Sequence, residues 1–459
     1  MKLGFDDRRR TFLGMLALLV LAACGVARAS TATLLLEEPY GRLGFFSATG
    51  HAAVYLSGVC AETPLVLRRC EPGETGVVIS RYNGVNGYDW VAIPLIPYLY
   101  AVERPEDVPL FADGKMVVFL RDRYRRTYLE EVAPDKENGG SPGGNWYELV
   151  GTSYDRTVYG FEVATTPEQD EALIRKLNAS PNRSHFRTVS KNCADFAKDI
   201  INFYYPSALH RSVIADVGIT TPKQIAKTMI RFGAKHPRTQ FSRLVIAQVP
   251  GGMPRSAPVH GVVDAFFTSK KYIVPSAVVS PIFAGCVAAV YIGTGAERFD
   301  PARNAMVFVV GSRPEPPISR EDQRAYKLEL KHLLAGAYPE KSEAKVDHAW
   351  ERLQAKAEHG VDEEGRPVLE LQLGEDTVRI GVSAGNVLDG SAPPQLVRQL
   401  LEARLQSELR RKSPVGLTEG EVARDWRLLQ MALQTNDPGS RISSRAPLPR
   451  SEGSRGNGP

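Results

Sequence analysis

Residues 190–204 constrain the fold more than any other stretch of the chain. Phe196, Ile200 and Phe203 recur at helical spacing with Ala197 and Tyr204 beside them, so one face packs inward while Asp195, Lys198, Asp199 and Asn202 stay in water. Ser190 or Asn192 caps the start, which puts Cys193 in the first helical turn. A thiol there faces unpaired backbone N–H groups and the positive end of the helix dipole, and both favour thiolate over thiol. Such a cysteine is half of a thiol hydrolase; the other half must be a base.

The N-terminus sets the compartment. Residues 1–29 read as an export signal, because Arg8, Arg9 and Arg10 precede the apolar run 12–23 and small residues follow. Arg9-Arg10-Thr11-Phe12-Leu13 fits a twin-arginine signal, although a basic region before an apolar one also serves the general secretory route. Leu21-Ala22-Ala23-Cys24-Gly25 fits a bacterial lipobox in which Cys24 is lipidated; the competing reading is cleavage after Ala29. Either way the mature chain lies in the periplasm or cell envelope, where thiols can oxidise. Cys60 and Cys70 stand ten residues apart with a turn at Ala61-Glu62-Thr63-Pro64, a spacing that fits a hairpin disulfide and leaves Cys193 free. Cys286, in an apolar run, reads as a small buried hydrophobe.

At 459 residues and 43% hydrophobic, the chain has room for two or three globular domains. The net charge of +5 is spread, with Lys and Arg scattered among acids, so no nucleic acid is expected as a partner. Strands are expected at 32–36, 45–56, 76–82 and 116–120. The aromatic and proline-rich stretch 88–100 reads as a loop over a cleft or a packed irregular segment. A strand at 158–163, helices over 167–177 and 193–204, and one opened by Thr221-Pro222 complete an α+β unit over 30–250.

Residues 251–315 form an apolar segment. Within it, 272–293 is uncharged and long enough to span a bilayer if helical, but Pro275, Pro281 and its β-branched residues equally suit a buried or membrane-apposed hairpin. The leading Lys270 and Lys271 would flank the outer face, against the positive-inside rule. Residues 316–435 read as a mainly helical accessory region, with amphipathic stretches at 319–334 and 343–359, a hairpin at 368–382 and charged helices at 395–412 and 419–434. The tail 436–459, rich in Pro, Gly, Ser and Arg, is expected to be disordered.

Gly50-His51-Ala52-Ala53-Val54-Tyr55-Leu56, followed much later by Asn192-Cys193-Ala194-Asp195-Phe196, resembles the circularly permuted branch of the NlpC-type papain-like superfamily, in which histidine precedes cysteine. That branch includes lecithin retinol acyltransferase-like proteins and Lnb-type N-terminal periplasmic domains. The Lnb-type domains match better in exported context and in the element Tyr159-Gly160-Phe161-Glu162-Val163 followed by Thr165-Thr166-Pro167-Glu168-Gln169. The resemblance covers about half the chain. It implies a permuted papain-like domain, an antiparallel sheet packed on helices, with Cys193 as nucleophile and His51 as general base. It also implies a third, orienting residue on the strand after the histidine, where Ser80, Tyr82 and Asn83 are candidates.

An imidazole beside the thiol removes its proton, holds the thiolate as an ion pair and later protonates the leaving group, and N–H groups at the helix start stabilise the oxyanion. The expected activity is an exported thiol hydrolase or acyltransferase acting on an amide or ester bond in a cell-envelope peptide or lipid. The alternative is a non-catalytic envelope module that binds a partner or lipid on the same fold. Membrane association would come through a lipid on Cys24 or through residues 272–293. His185, eight residues before the cysteine, is a rival base. His210, His236 and His260 fit no zinc pattern, and neither metal nor cofactor is expected.

Overall fold

The computed structural model describes residues 30–40, 48–183 apart from 111, 186–249, 253–295, 298–317, parts of 319–331, and 356–386 apart from 374 and 384. The export signal with Cys24, His185, the charged helices beyond 387 and the tail lie outside the described residues. The chain is mixed α+β and divides into two compact units: residues 1–104, 120–248 and 254–308 form one, and 105–119, 249–253 and 309–459 the other.

The first unit is built on a seven-stranded sheet. Its strands are β1 (Ser30–Glu37), β2 (His51–Leu56), β5 (Val77–Ser80), β6 (Val91–Pro94), β7 (Val158–Thr165), β8 (Ser242–Ile246) and β9 (Met306–Val307). β3 (Val59–Thr63) and β4 (Val66–Arg69) form a separate hairpin. The strand order is β6-β5-β2-β1-β7-β8-β9, antiparallel except for the β8–β9 pair. β1 lies at the centre, and Ala32 to Leu36 are buried on both faces, which is why this strand reads as a continuous apolar run rather than an alternation.

Helices follow in chain order as α1 (Leu95–Tyr100), α2 (Gly114–Tyr128), α3 (Thr152–Asp155), α4 (Pro167–Asn178), α5 (Cys193–Tyr204), α6 (Pro222–Lys235), α7 (Val262–Thr268), α8 (Lys270–Val279) and α9 (Pro281–Gly293). α5 packs on β1, β2 and β5, and α6 on β1 and β7. Phe196, Ile200 and Ile201 of α5 are buried, each stabilising the domain by about 1.5–3 kcal/mol.

Several sequence readings are corrected here. Residues 116–120 belong to helix α2, not to a strand. Asp113 accepts from the Met116 N–H at 2.8 Å as an N-terminal cap, and Met116, Val117, Leu120 and Tyr124 are buried on one helical face while Val118 is exposed. The stretch 88–100 is neither a cleft loop nor irregular throughout, since it supplies edge strand β6 and helix α1, all six of whose residues are buried. Pro94 is tolerated because it ends a strand at the sheet edge. β2 starts at His51, and residues 45–47 of the expected strand lie outside the described residues. Asp195 is buried rather than wet.

The apolar stretch 272–293 is helical but broken. Ser280 separates α8 from α9, Pro275 lies inside α8, and among the described residues no helix is long and apolar enough to cross a membrane. Cys286, expected to be buried, is exposed. In the second unit, the described residues of 316–435 include helical positions between 320 and 331 and a three-stranded antiparallel sheet of β10 (Glu358–Val361), β11 (Pro367–Leu373) and β12 (Asp376–Gly381). The 368–382 hairpin is therefore present, but residues 358–361 pair with 367–370 as a strand instead of ending a helix.

Candidate active site

His51 is the first residue of β2, and its position depends on the glycine before it. Gly50 has φ +70°, and a Cβ at that position would lie 2.1 Å from the Glu37 carbonyl oxygen, so only glycine lets the chain turn into β2 there. On the neighbouring strand β1, Glu37 is the register partner of His51.

Cys193 opens α5. Asn192 is the N-cap and forms a reciprocal capping box with Asp195: Asn192 Oδ1 accepts from the Asp195 N–H at 2.9 Å and Asp195 Oδ2 accepts from the Asn192 N–H at 3.4 Å. The Asn192 side-chain amide also donates to the carbonyls of Thr188 and Thr220, at 2.9 and 3.0 Å. Asp195 in turn accepts from Thr220 Oγ1 at 2.5 Å and Lys198 Nζ at 3.1 Å. The start of α5 is thus tied at three points, and the N–H groups of Cys193 and Ala194 are the first two of the helix, which have no intrahelical acceptor. Cys193 itself is 8% exposed.

The two residues come together where α5 packs on β2, close enough that Cys193 is the strongest of the influences raising the pKa of His51. His51 Nε2 lies 2.8 Å from Ser80 Oγ, and Ser80 Oγ donates its single proton to the Ala52 carbonyl at 2.9 Å. Ser80 can therefore only accept from the ring, which places the proton on Nε2 and leaves Nδ1 as the acceptor of the neutral ring. Tyr82 stacks on the imidazole with ring centroids 5.1 Å apart. Of the three candidates for an orienting residue, Ser80 is the one that bonds the ring and Tyr82 the one that packs on it.

Burial works against the charged form of His51. The negative charge of Cys193 first, and then the carboxylates of Glu37 and Glu148, outweigh burial and push its pKa up to about 9. Beneath the ring lies a network that the sequence did not reveal. The buried Glu37 carboxylate accepts from Tyr98 Oη and from Thr152 Oγ1 at 2.9 Å, and is ion-paired with Arg156, whose guanidinium is 3.2 Å away and also buried. Glu37 and Tyr98 also act on Tyr82, so the residue stacked on His51 feels the same buried cluster. The one cue in the sequence was an acid closing the apolar run of β1.

The other histidines lie elsewhere. His236 stacks on Phe232 and bonds its carbonyl at 2.9 Å, His260 sits 3.0 Å from Asp264, and His210 is exposed. A separate small pocket, lined by Asp216, Lys223, Lys227, Asp264 and Tyr291 among others, contains neither His51 nor Cys193. Cys60 and Cys70 are joined by a disulfide across the β3–β4 hairpin, with Cα atoms 4.8 Å apart. Among the described residues their sulfurs and Glu74 form the one cluster with metal-ligand spacing, and the disulfide commits both sulfurs. Comparison with known protein families, curated proteins and solved structures gives no match to this chain.

Proposed function

We propose that this chain is an exported thiol hydrolase or acyltransferase in which Cys193 is the nucleophile, His51 the general base and Ser80 the residue that positions the imidazole. The observation that carries this reading is the bond of His51 Nε2 to Ser80 Oγ at 2.8 Å on a ring whose charged form Cys193, at the start of the helix packed on β2, favours. A histidine held by chance would not combine a fixed tautomer, a ring stack and a cysteine at a helix start.

In the proposed reaction the Cys193 thiol gives its proton to His51 Nδ1, and the sulfur attacks the carbonyl carbon of an amide or ester. The tetrahedral oxyanion is stabilised by N–H groups at the start of α5, aided by the helix dipole. The imidazolium protonates the departing amine or alcohol, leaving a thioester. Water or a second alcohol or amine, deprotonated by His51, then releases the acyl group and restores the thiol. The histidine-before-cysteine order and the helix-on-sheet packing support a permuted papain-like domain similar to Lnb-type periplasmic domains. An export signal over residues 1–29 and a lipobox at Cys24 would place the substrate, a peptide or lipid, in the cell envelope.

The test is labelling by a thiol-directed acylating probe. Cys193→Ala and His51→Ala should each abolish it, whereas Cys286→Ala should leave it unchanged; persistent labelling of folded Cys193→Ala would remove the proposal.

A further inference from the structure

Helices α8 and α9 present an arrangement that water does not favour. Residues 272–293 carry no charged side chain, yet none of residues 270–295 is buried. The most exposed side chains are the largest aliphatic ones at the α8–α9 junction, with Val278 79%, Val279 85% and Ile282 83% exposed. An isolated surface valine is ordinary, but two helices apolar on every side and buried on none require an apolar surrounding.

The polar atoms in this region are turned inward upon their own helices. Ser276 Oγ donates to the Tyr272 carbonyl and Thr294 Oγ1 to the Val290 carbonyl, both at 2.8 Å, and Ser280 Oγ accepts from the Phe283 N–H at 3.4 Å. Pro275 and Pro281 have no N–H to satisfy. Internal satisfaction of this kind is what a hydrocarbon solvent demands.

One end of the pair is different in character. Tyr272, near the start of α8, stacks on Phe266, which also meets Phe283 of α9 edge-on, and Tyr291, near the end of α9, stacks on Phe267, so both helices rest on α7 as a base. Lys270 and Lys271 stand at that base, and Lys227 donates to the Thr294 carbonyl there at 3.0 Å. The 13 residues of α9 reach roughly 20 Å, short of the roughly 30 Å hydrocarbon core, so the pair is long enough to enter a bilayer from one side and too short to cross it.

We propose that α8 and α9 form an insertion hairpin that seats its Val278, Val279 and Ile282 junction among the acyl chains of an anionic phospholipid bilayer, with Lys270 and Lys271 against the headgroups. The basic margin selects an anionic surface, and the apolar junction, without a polar rim, fits lipid rather than a protein partner. This inference makes no use of the Cys193 site and stands or falls apart from it.

The exposed thiol of Cys286 in α9 provides the probe. The full chain carrying Cys24→Ser and Cys193→Ala is labelled at Cys286 with a nitroxide and mixed with phosphatidylglycerol–phosphatidylcholine vesicles. The nitroxide should become accessible to oxygen and protected from a water-soluble nickel complex. Val279→Asp with Ile282→Asp should weaken vesicle affinity by more than about tenfold, given the cost of charge in hydrocarbon. Lys270→Glu with Lys271→Glu should remove the preference over pure phosphatidylcholine. A nitroxide that stays in water while the protein sediments with vesicles would overturn the proposal by placing the attachment elsewhere. Dipolar broadening between labels without vesicles, lost in the double-aspartate variant, would overturn it in favour of a second copy of the chain.

Discussion

His51 donates from Nε2 to Ser80 Oγ across 2.8 Å, and because Ser80 passes its only proton to the Ala52 carbonyl, this bond fixes the tautomer of the ring. Replacing Ser80 by alanine removes the fixed acceptor without altering either member of the pair. Ser80→Ala should slow acyl-probe labelling of Cys193 by about tenfold, the equivalent of one hydrogen bond to a charging group, while circular dichroism stays unchanged. Equal labelling rates would show that Ser80 plays no positioning role.

The raised pKa of His51 has a consequence for stability, and its sign follows from the direction of the shift. The folded value of about 9 lies above the ordinary 6.5, so the imidazolium contributes stability that is fully present below 6.5 and lost as pH rises through 9. The melting temperature of the wild type, relative to that of Cys193→Ala, should fall across this window. Because the negative charge of Cys193 is the strongest of the influences that oppose burial, the variant should show a flatter profile. Parallel profiles for the two proteins would contradict the pairing.

Glu37 and Arg156 form an ion pair out of contact with water. Glu37→Gln leaves the guanidinium without its charge partner and should destabilise the first unit by about 3–5 kcal/mol in urea unfolding. Glu37→Gln with Arg156→Met should recover part of that loss, since removing both charges is cheaper than stranding one. A double variant as unstable as the sum of the two single variants would show that the pair acts through shape alone.

At Gly50 the demand is on the backbone. Gly50→Ala must accept φ +70° and a contact of 2.1 Å with the Glu37 carbonyl, and should cost more than about 2 kcal/mol. The relevant measurement is the urea midpoint, together with acyl-probe labelling below it, because the shift this residue forces moves His51 as well.

The pattern of what could be read from the sequence follows from the range of the interactions involved. The α5 helix and its Asn192 cap were legible because capping and helical periodicity are local, whereas the pairing of His51 with Cys193 came only from the resemblance of Gly50-His51 and Asn192-Cys193 to permuted papain-like proteins. Strand β1 was legible as an unbroken apolar run. Helix α2 was misread because Met116 to Leu120 is as apolar as a strand, and the deciding contact is the Asp113 cap just ahead of it. Asp195 looked like a solvated helical acid because its partner Thr220 lies 25 residues away. The Glu37 network was hidden for the same reason: Tyr98, Thr152 and Arg156 come together only once β1, α1 and α3 have packed.

The central claim is that His51 activates Cys193, and the most direct test is the rate of iodoacetamide alkylation at Cys193, followed by peptide mass spectrometry between pH 5 and pH 10. Since only the thiolate reacts, the account predicts rapid alkylation in the wild type at pH 6 and a fall of at least about tenfold at that pH in His51→Ala, with the two converging at pH 10. Identical pH profiles for wild type and variant would contradict it.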